Sequence, residues 1–92
     1  MDLDELRKEI DAVDAEIVKL FEKRMEISER IAAYKQQAGI PVRDKAREKE
    51  KILKVQSLTH TEFNRKHIEE LYTVLMALSR KLQEEKAKTS LQ

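Results

Sequence analysis

Ninety-two residues bound this chain to one domain, residues 1–92, with a core small enough that association with a partner is a common route to stability. Charged and apolar residues each make up 40% of it, aromatics only 4%, and glycine and proline occur once each, a mixture typical of long helices. A net charge of +1 with interspersed signs gives no argument for nucleic acid or an anionic membrane, and the lack of cysteine removes disulfides, thiolate metal sites and cysteine nucleophiles.

The first element is a long helix. Leu3, Leu6, Ile10, Val13, Ile17, Leu20, Ile27, Ile31 and Tyr34 recur at alternating spacings of three and four, broken only at residue 24, which is a heptad seam. Asp2 and Glu5 form a capping-box pattern at its start. Gly39 and Pro41 end it, because glycine accepts the left-handed position after a helix and proline cannot continue one. The spacing therefore predicts helix over residues 3–38, roughly 54 Å long at 1.5 Å per residue. A compact globule of this chain length has a radius of gyration near 12 Å, or is about 30 Å across. The helix does not fit inside it. The monomer must be elongated, and the seam needs a partner, for which a homodimer is the simplest solution.

Asp44 is a good N-cap for a second helix over residues 45–58, with Ile52, Val55 and Leu58 as a thin apolar face. The stretch SLTHTEFN interrupts it. Thr61 is a cap for a third helix over residues 62–86, whose Ile68, Leu71, Leu75, Leu78 and Leu82 repeat the same spacing. The tail EEKAKTSLQ reads as frayed. No apolar run approaches the ~18 residues of a membrane span, and the N-terminal MDLDELRKE is too acidic and polar for a signal peptide, so a cytoplasmic location is the expectation.

The seam of the first helix is broken at Arg24. A guanidinium inside an apolar stripe is costly unless paired. It is either a snorkelling or partnered structural charge, or a group aimed at an anionic ligand held between helices. Lys35, eleven residues on, shares that face, although a lysine near a helix C-terminus also simply matches the dipole. Arg7 lies beside the seam roughly 25 Å from Arg24 along the axis. No small ligand touches both on one straight helix, so a shared site requires Arg7 from a second subunit. The third helix carries a second stripe, Tyr72, Met76, Ser79 and Gln83, which is either a boundary face or part of a site. Behind the turn GIPVRDKAREKE sit Asp44, Arg47 and Glu48, an ordinary solvated helix start or the rim of a pocket. There is no Ser/His/Asp arrangement, and His60 and His67 have no plausible metal-ligand partners. A dianionic small molecule held by cations and neutral donors suits this inventory.

The strings LRKEIDAVDAEIVKLFEKRMEI, AYKQQAGIPVRDKAREKE and LYTVLMALSRKLQ, in this order and at these separations, resemble the all-helical (AroQ-class) chorismate mutases over nearly the whole chain. The resemblance implies an all-α intertwined homodimer of three-helix subunits with two equivalent active sites. It implies rearrangement of chorismate to prephenate, with no cofactor and no metal. Arg24 and Arg7 of the partner subunit would clamp the two substrate carboxylates. Lys35 would bind a carboxylate and the ether oxygen of the breaking bond, and Gln83 would donate to that same oxygen. Glu48, with the backbone near Asp44, would hold the ring hydroxyl. Arg47 would line the pocket and position its acidic neighbours, and Ser79 would contact the ring carboxylate. The turn then becomes the pocket rim. The alternatives are an isochorismate-pyruvate lyase, which shares this fold and ligand type, and a non-catalytic helical dimerisation module, which leaves Arg24 unexplained.

Overall fold

Each helix starts and stops where the backbone finds a specific local partner. In the computed structural model, which describes residues 2–90 and side chains through Lys88, these are α1 (Leu3–Ala38), α2 (Lys45–Ser57) and α3 (Glu62–Ser90). The described residues contain no strand, so the chain is all-α. Asp2 is extended, and its Oδ1 accepts from the Glu5 amide at 2.8 Å. Asp44 Oδ1 accepts from the Arg47 amide at 3.0 Å, and Thr61 Oγ1 from the Asn64 amide at 3.0 Å. Each satisfies one of the orphan donors of a helix N-terminus.

Gly39 closes α1 with φ +70°. Its amide donates to the Gln36 carbonyl at 3.3 Å, and the Ile40 amide to the Lys35 carbonyl at 2.8 Å, the paired bonds of a Schellman closure. A Cβ at residue 39 would meet nothing within 4 Å. The glycine is needed for its left-handed backbone, not for space.

Two expectations need correction. The tail read as frayed continues α3 to Ser90; Leu91 and Gln92 lie outside the described residues. No glycine or proline interrupts this stretch, Ala87 is half-buried, and Lys86 pairs with Glu29 of α1 at 3.8 Å. Leu58 does not belong to the apolar face of α2. It is the C-cap residue after Ser57 and is exposed, while Val55 is buried and Ile52 half-buried as expected.

Side-chain partners fix the helix directions. Arg24 meets Ser79, Ser28 meets Gln83, and Glu29 meets Lys86, so α1 and α3 run parallel. Glu48 meets Arg80 and Gln56 meets the Arg65 carbonyl, so α2 and α3 run antiparallel. The radius of gyration is 16.6 Å and the extents are 55 × 27 × 14 Å, so the chain is elongated and little thicker than one helix with its side chains. Such a layer encloses almost no core: Ala32 and Val55 are the only buried apolar residues described. Every described residue before Arg24 is exposed, including all six seam residues from Leu3 to Leu20, at 41–60%. On α3, Ile68, Leu75 and Leu82 are half-buried, and Leu71 and Leu78 are exposed. Among the described residues, no helix is long and apolar enough to cross a membrane.

Candidate functional site

The best-covered side chains of this molecule are polar. Ser28 is 5% exposed and Gln83 6%, lower than the buried apolar Val55 and Ala32, and Ser79 is close behind at 9%. Serine and glutamine are mostly surface residues, so burial of three together marks the place where they meet. They line the wall where α1 packs on α3, and that wall faces a cleft of about 370 Å³ closed on its other side by the α1–α2 turn and α2.

Every polar atom buried in this wall is partnered. Arg24 Nη1 donates to Ser79 Oγ at 2.7 Å, and Ser28 Oγ donates to the same oxygen at 3.0 Å. Ser79 Oγ has two acceptor sites, so both are filled and its own O–H is left to donate. The Tyr72 ring lies 5.6 Å from the Arg24 guanidinium, within cation–π range. Arg24 is thus a half-buried, partnered charge set between the helices rather than one reaching out to water.

Gln83 Nε2 donates to the Ser28 carbonyl at 3.1 Å. A backbone carbonyl only accepts, so the amide nitrogen must face it, which fixes the orientation of the side chain. The second N–H of Gln83 remains unassigned among the protein contacts. Lys35 Nζ donates to the Val42 carbonyl at 2.7 Å, tying the end of α1 to the turn that follows. An ammonium has three donors, so others remain for a ligand.

Across the cleft stand Asp44, Arg47 and Glu48 of the α2 start, placed there by the Gly39 closure and the Asp44 cap. Arg47 sits on the exposed rim, where its guanidinium is 3.9 Å from Glu50. Glu48 is held instead by two other arginines: Oε2 by Arg80 of α3, and Oε1 by Arg43 Nε at 3.6 Å. The cleft lining carries five cations (Arg24, Lys35, Arg47, Lys51 and Arg80) against the carboxylates of Asp44 and Glu48. Asp44 is engaged in capping and Glu48 in ion pairs, so the field in the cleft is cationic.

Of the residues singled out from sequence, Arg24, Lys35, Asp44, Arg47, Glu48, Ser79 and Gln83 line this one cleft. Arg7 does not; it is exposed on the unpacked part of α1. In the second stripe of α3, Met76, Ser79 and Gln83 line the cleft, and Tyr72 backs Arg24. Three polar lining residues escaped the sequence reading: Ser28, Lys51 and Arg80. Ser28 had a usable signal, because it falls four residues after Arg24 and seven before Lys35, on the same helical face. His67 takes no part: its Nδ1 is 3.2 Å from Glu70 Oε1, and its ring packs on Phe63 with centroids 4.4 Å apart.

A cationic, donor-lined cleft between helices has the chemistry that a small anionic molecule would require. The family model for chorismate mutase type II matches residues 6–84, and the chain belongs to that family. It is 45% identical over 47 residues to a chorismate mutase of Methanocaldococcus jannaschii, covering 51% of this chain and 48% of the relative. It is 43% identical over 49 residues to a bifunctional chorismate mutase/prephenate dehydratase of Aquifex aeolicus, covering 53% of this chain and 14% of the relative. The chain therefore spans less than half the length of either curated relative. No solved structure gives a significant match.

Proposed function

We propose that this chain is a chorismate mutase of the cytoplasm, converting chorismate to prephenate as an intertwined homodimer. The observation that carries the reading is the polar wall of the cleft, where Arg24, Lys35, Ser79 and Gln83 each keep donors beyond those used within the protein. The rearrangement is a unimolecular [3,3] shift and calls for no nucleophile. What it calls for is conformational selection and stabilisation of one developing charge.

Arg24 would bind one carboxylate of the dianion, and the Ser79 hydroxyl would donate to the ring carboxylate. Holding both carboxylates selects the near-attack geometry that the free molecule mostly avoids. Glu48, with the backbone near Asp44, would accept from the ring hydroxyl, and Arg47 would close the rim. As the C–O bond breaks, charge grows on the ether oxygen. Lys35 and the remaining Gln83 N–H would stabilise it in place, without reorganisation.

The second carboxylate clamp is Arg7 of a second subunit. Two features support this dimer. The apolar seam from Leu3 to Leu20 has no cover among the described residues, and α3 leaves Leu71 and Leu78 exposed beside the cleft-forming face. Covering both with another copy would bury them, and Arg7, already remote from its own cleft, would then be free to reach its partner's. The test is loss of chorismate absorbance with identification of the product, and isochorismate in a parallel reaction. Prephenate from chorismate is the expected result. Pyruvate release from isochorismate with no prephenate formed would overturn it in favour of a lyase, and no turnover of either would leave a dimerisation module.

A further inference from the structure

Arg80 follows Ser79 on α3 but is turned about 100° around the helix axis, so it faces α2 instead of α1. There its guanidinium grips Glu48 Oε2. The side chains of Arg80 and Glu48 are 25% and 20% exposed, whereas that of Arg43, the other partner of Glu48, is 54% exposed. The Arg43 contact is accordingly the screened, weaker one, and Arg80 is the main counter-charge to Glu48. Arg80 hydrogen-bonds one oxygen of the carboxylate, while Arg43, at 3.6 Å from the other, is an ion-pair partner only, so most of the roughly four lone-pair sites of Glu48 remain free to accept.

This matters because the cleft receives a dianion. A bare carboxylate in its wall would repel that ligand. A carboxylate already neutralised by an arginine keeps its power to accept a hydroxyl proton without adding a net negative charge.

We propose that Arg80 is a positioning residue. It orients the Glu48 carboxylate for the ring hydroxyl of the substrate and cancels its charge, so that one cleft admits a dianion and still offers it a strong acceptor. The inference rests on the chorismate mutase reading and adds a residue to it. Arg80 acts through Glu48 and not through the substrate.

The experiment is a double-mutant cycle on the full chain, with KM and kcat measured for the parent, Arg80→Met, Glu48→Gln and the double variant. Arg80→Met in the parent background should raise KM about tenfold, because it leaves Glu48 with only the exposed Arg43 contact against its charge while it faces the dianion. That increase should shrink as salt rises from about 0.05 to 0.5 M, since added ions screen the repulsion. In the Glu48→Gln background the same substitution should cost less than about threefold, because there is no charge left to cancel. Thermal midpoints of all four are read alongside. Should Arg80→Met not fold, Arg80→Lys substitutes for it. That variant keeps the charge but loses the planar fork, and is expected to show a loss of about threefold that again disappears with Glu48→Gln. An equal cost in both backgrounds, or no salt dependence, overturns the proposal and leaves Arg80 a direct ligand or a structural residue. An active parent with uncoupled costs overturns this inference alone. A parent that turns over no chorismate overturns the functional reading and this inference with it.

Discussion

The two ends of α1 share one heptad pattern and have opposite surroundings. From Arg24 to Lys35 the helix is packed on α3 and supplies the cleft with two cations and a buried serine. From Leu3 to Lys23 it carries the same 3/4 spacing, yet every residue is exposed. A periodic apolar stripe thus records that a helix face will be covered without recording by what. In the C-terminal part the cover is the chain's own α3. In the N-terminal part nothing among the described residues supplies it, and a second copy is the account proposed above.

The largest effect should come from the packed end. On the proposed mechanism Lys35→Ala and Gln83→Ala would each remove a donor at the breaking bond, and each should lower kcat by about 100- to 1,000-fold, the usual cost of one oxyanion donor. The measurement is steady-state kinetics alongside a thermal melt showing the helices intact. A loss under tenfold at both positions would mean that the cleft does not act on an ether oxygen.

Next comes the unpacked end. If the chain works as a monomer, Ile17→Asp is an exposed surface change and should cost no more than about 0.5 kcal/mol. If a second copy covers the seam, the same change buries a charge in an apolar interface, and it should dissociate the dimer and abolish activity together. Sedimentation equilibrium and kinetics on one sample separate the two. An active, dimeric Ile17→Asp variant would break the comparison.

The third effect sharpens the role of Gln83. An amide donates at every pH, but a carboxylate donates only while protonated. Gln83→Glu should therefore be active in acid and lose turnover as pH rises. A glutamate starts at about 4.3, and burial at this position penalises its charged form and moves the fall to higher pH. The parent should show no such fall through the same range. A flat profile in the variant would remove Gln83 from the reacting atoms.

The smallest effects compare two caps of one type. Asp2→Ala and Asp44→Ala each lose one amide partner and should cost about 1 kcal/mol of stability. Asp2 caps the exposed end of α1 and lines no part of the cleft, so kcat/KM per folded protein should hold. Asp44 also lines the cleft, so its loss should lower kcat/KM as well. Thermal melts paired with kinetics check both. Equal kinetic losses would mean that Asp44 matters only as a cap.

Legibility in the sequence followed the range of the forces involved. Caps at Asp2, Asp44 and Thr61 and the stop at Gly39 are local, and all four stand where the sequence puts them. The α3 tail was misjudged because one of its anchors, the Lys86–Glu29 pair, joins residues 57 positions apart. Arg24, Lys35, Ser79 and Gln83 stood out because they interrupt or flank apolar stripes. Ser28 and Arg80 did not: an arginine beside a lysine looks like ordinary solvated helix surface, and Ser28 is marked by its spacing from Arg24 and Lys35 alone, not by its residue type. Their partners, Ser79 and Glu48, lie on other helices.

The central claim is that the exposed end of one α1 completes the cleft built on the packed end of another. Subunit mixing tests it most directly. Arg7→Ala and Arg24→Ala are purified separately, assayed, mixed in equal amounts and allowed to exchange, with heterodimers verified by mass. Each variant alone should be nearly inactive. In a heterodimer one site collects both defects and the other has neither, so random exchange should restore about a quarter of the parent activity. Heterodimers that form and recover nothing would contradict the claim, and would put Arg7 either in its own subunit's site or outside the site altogether.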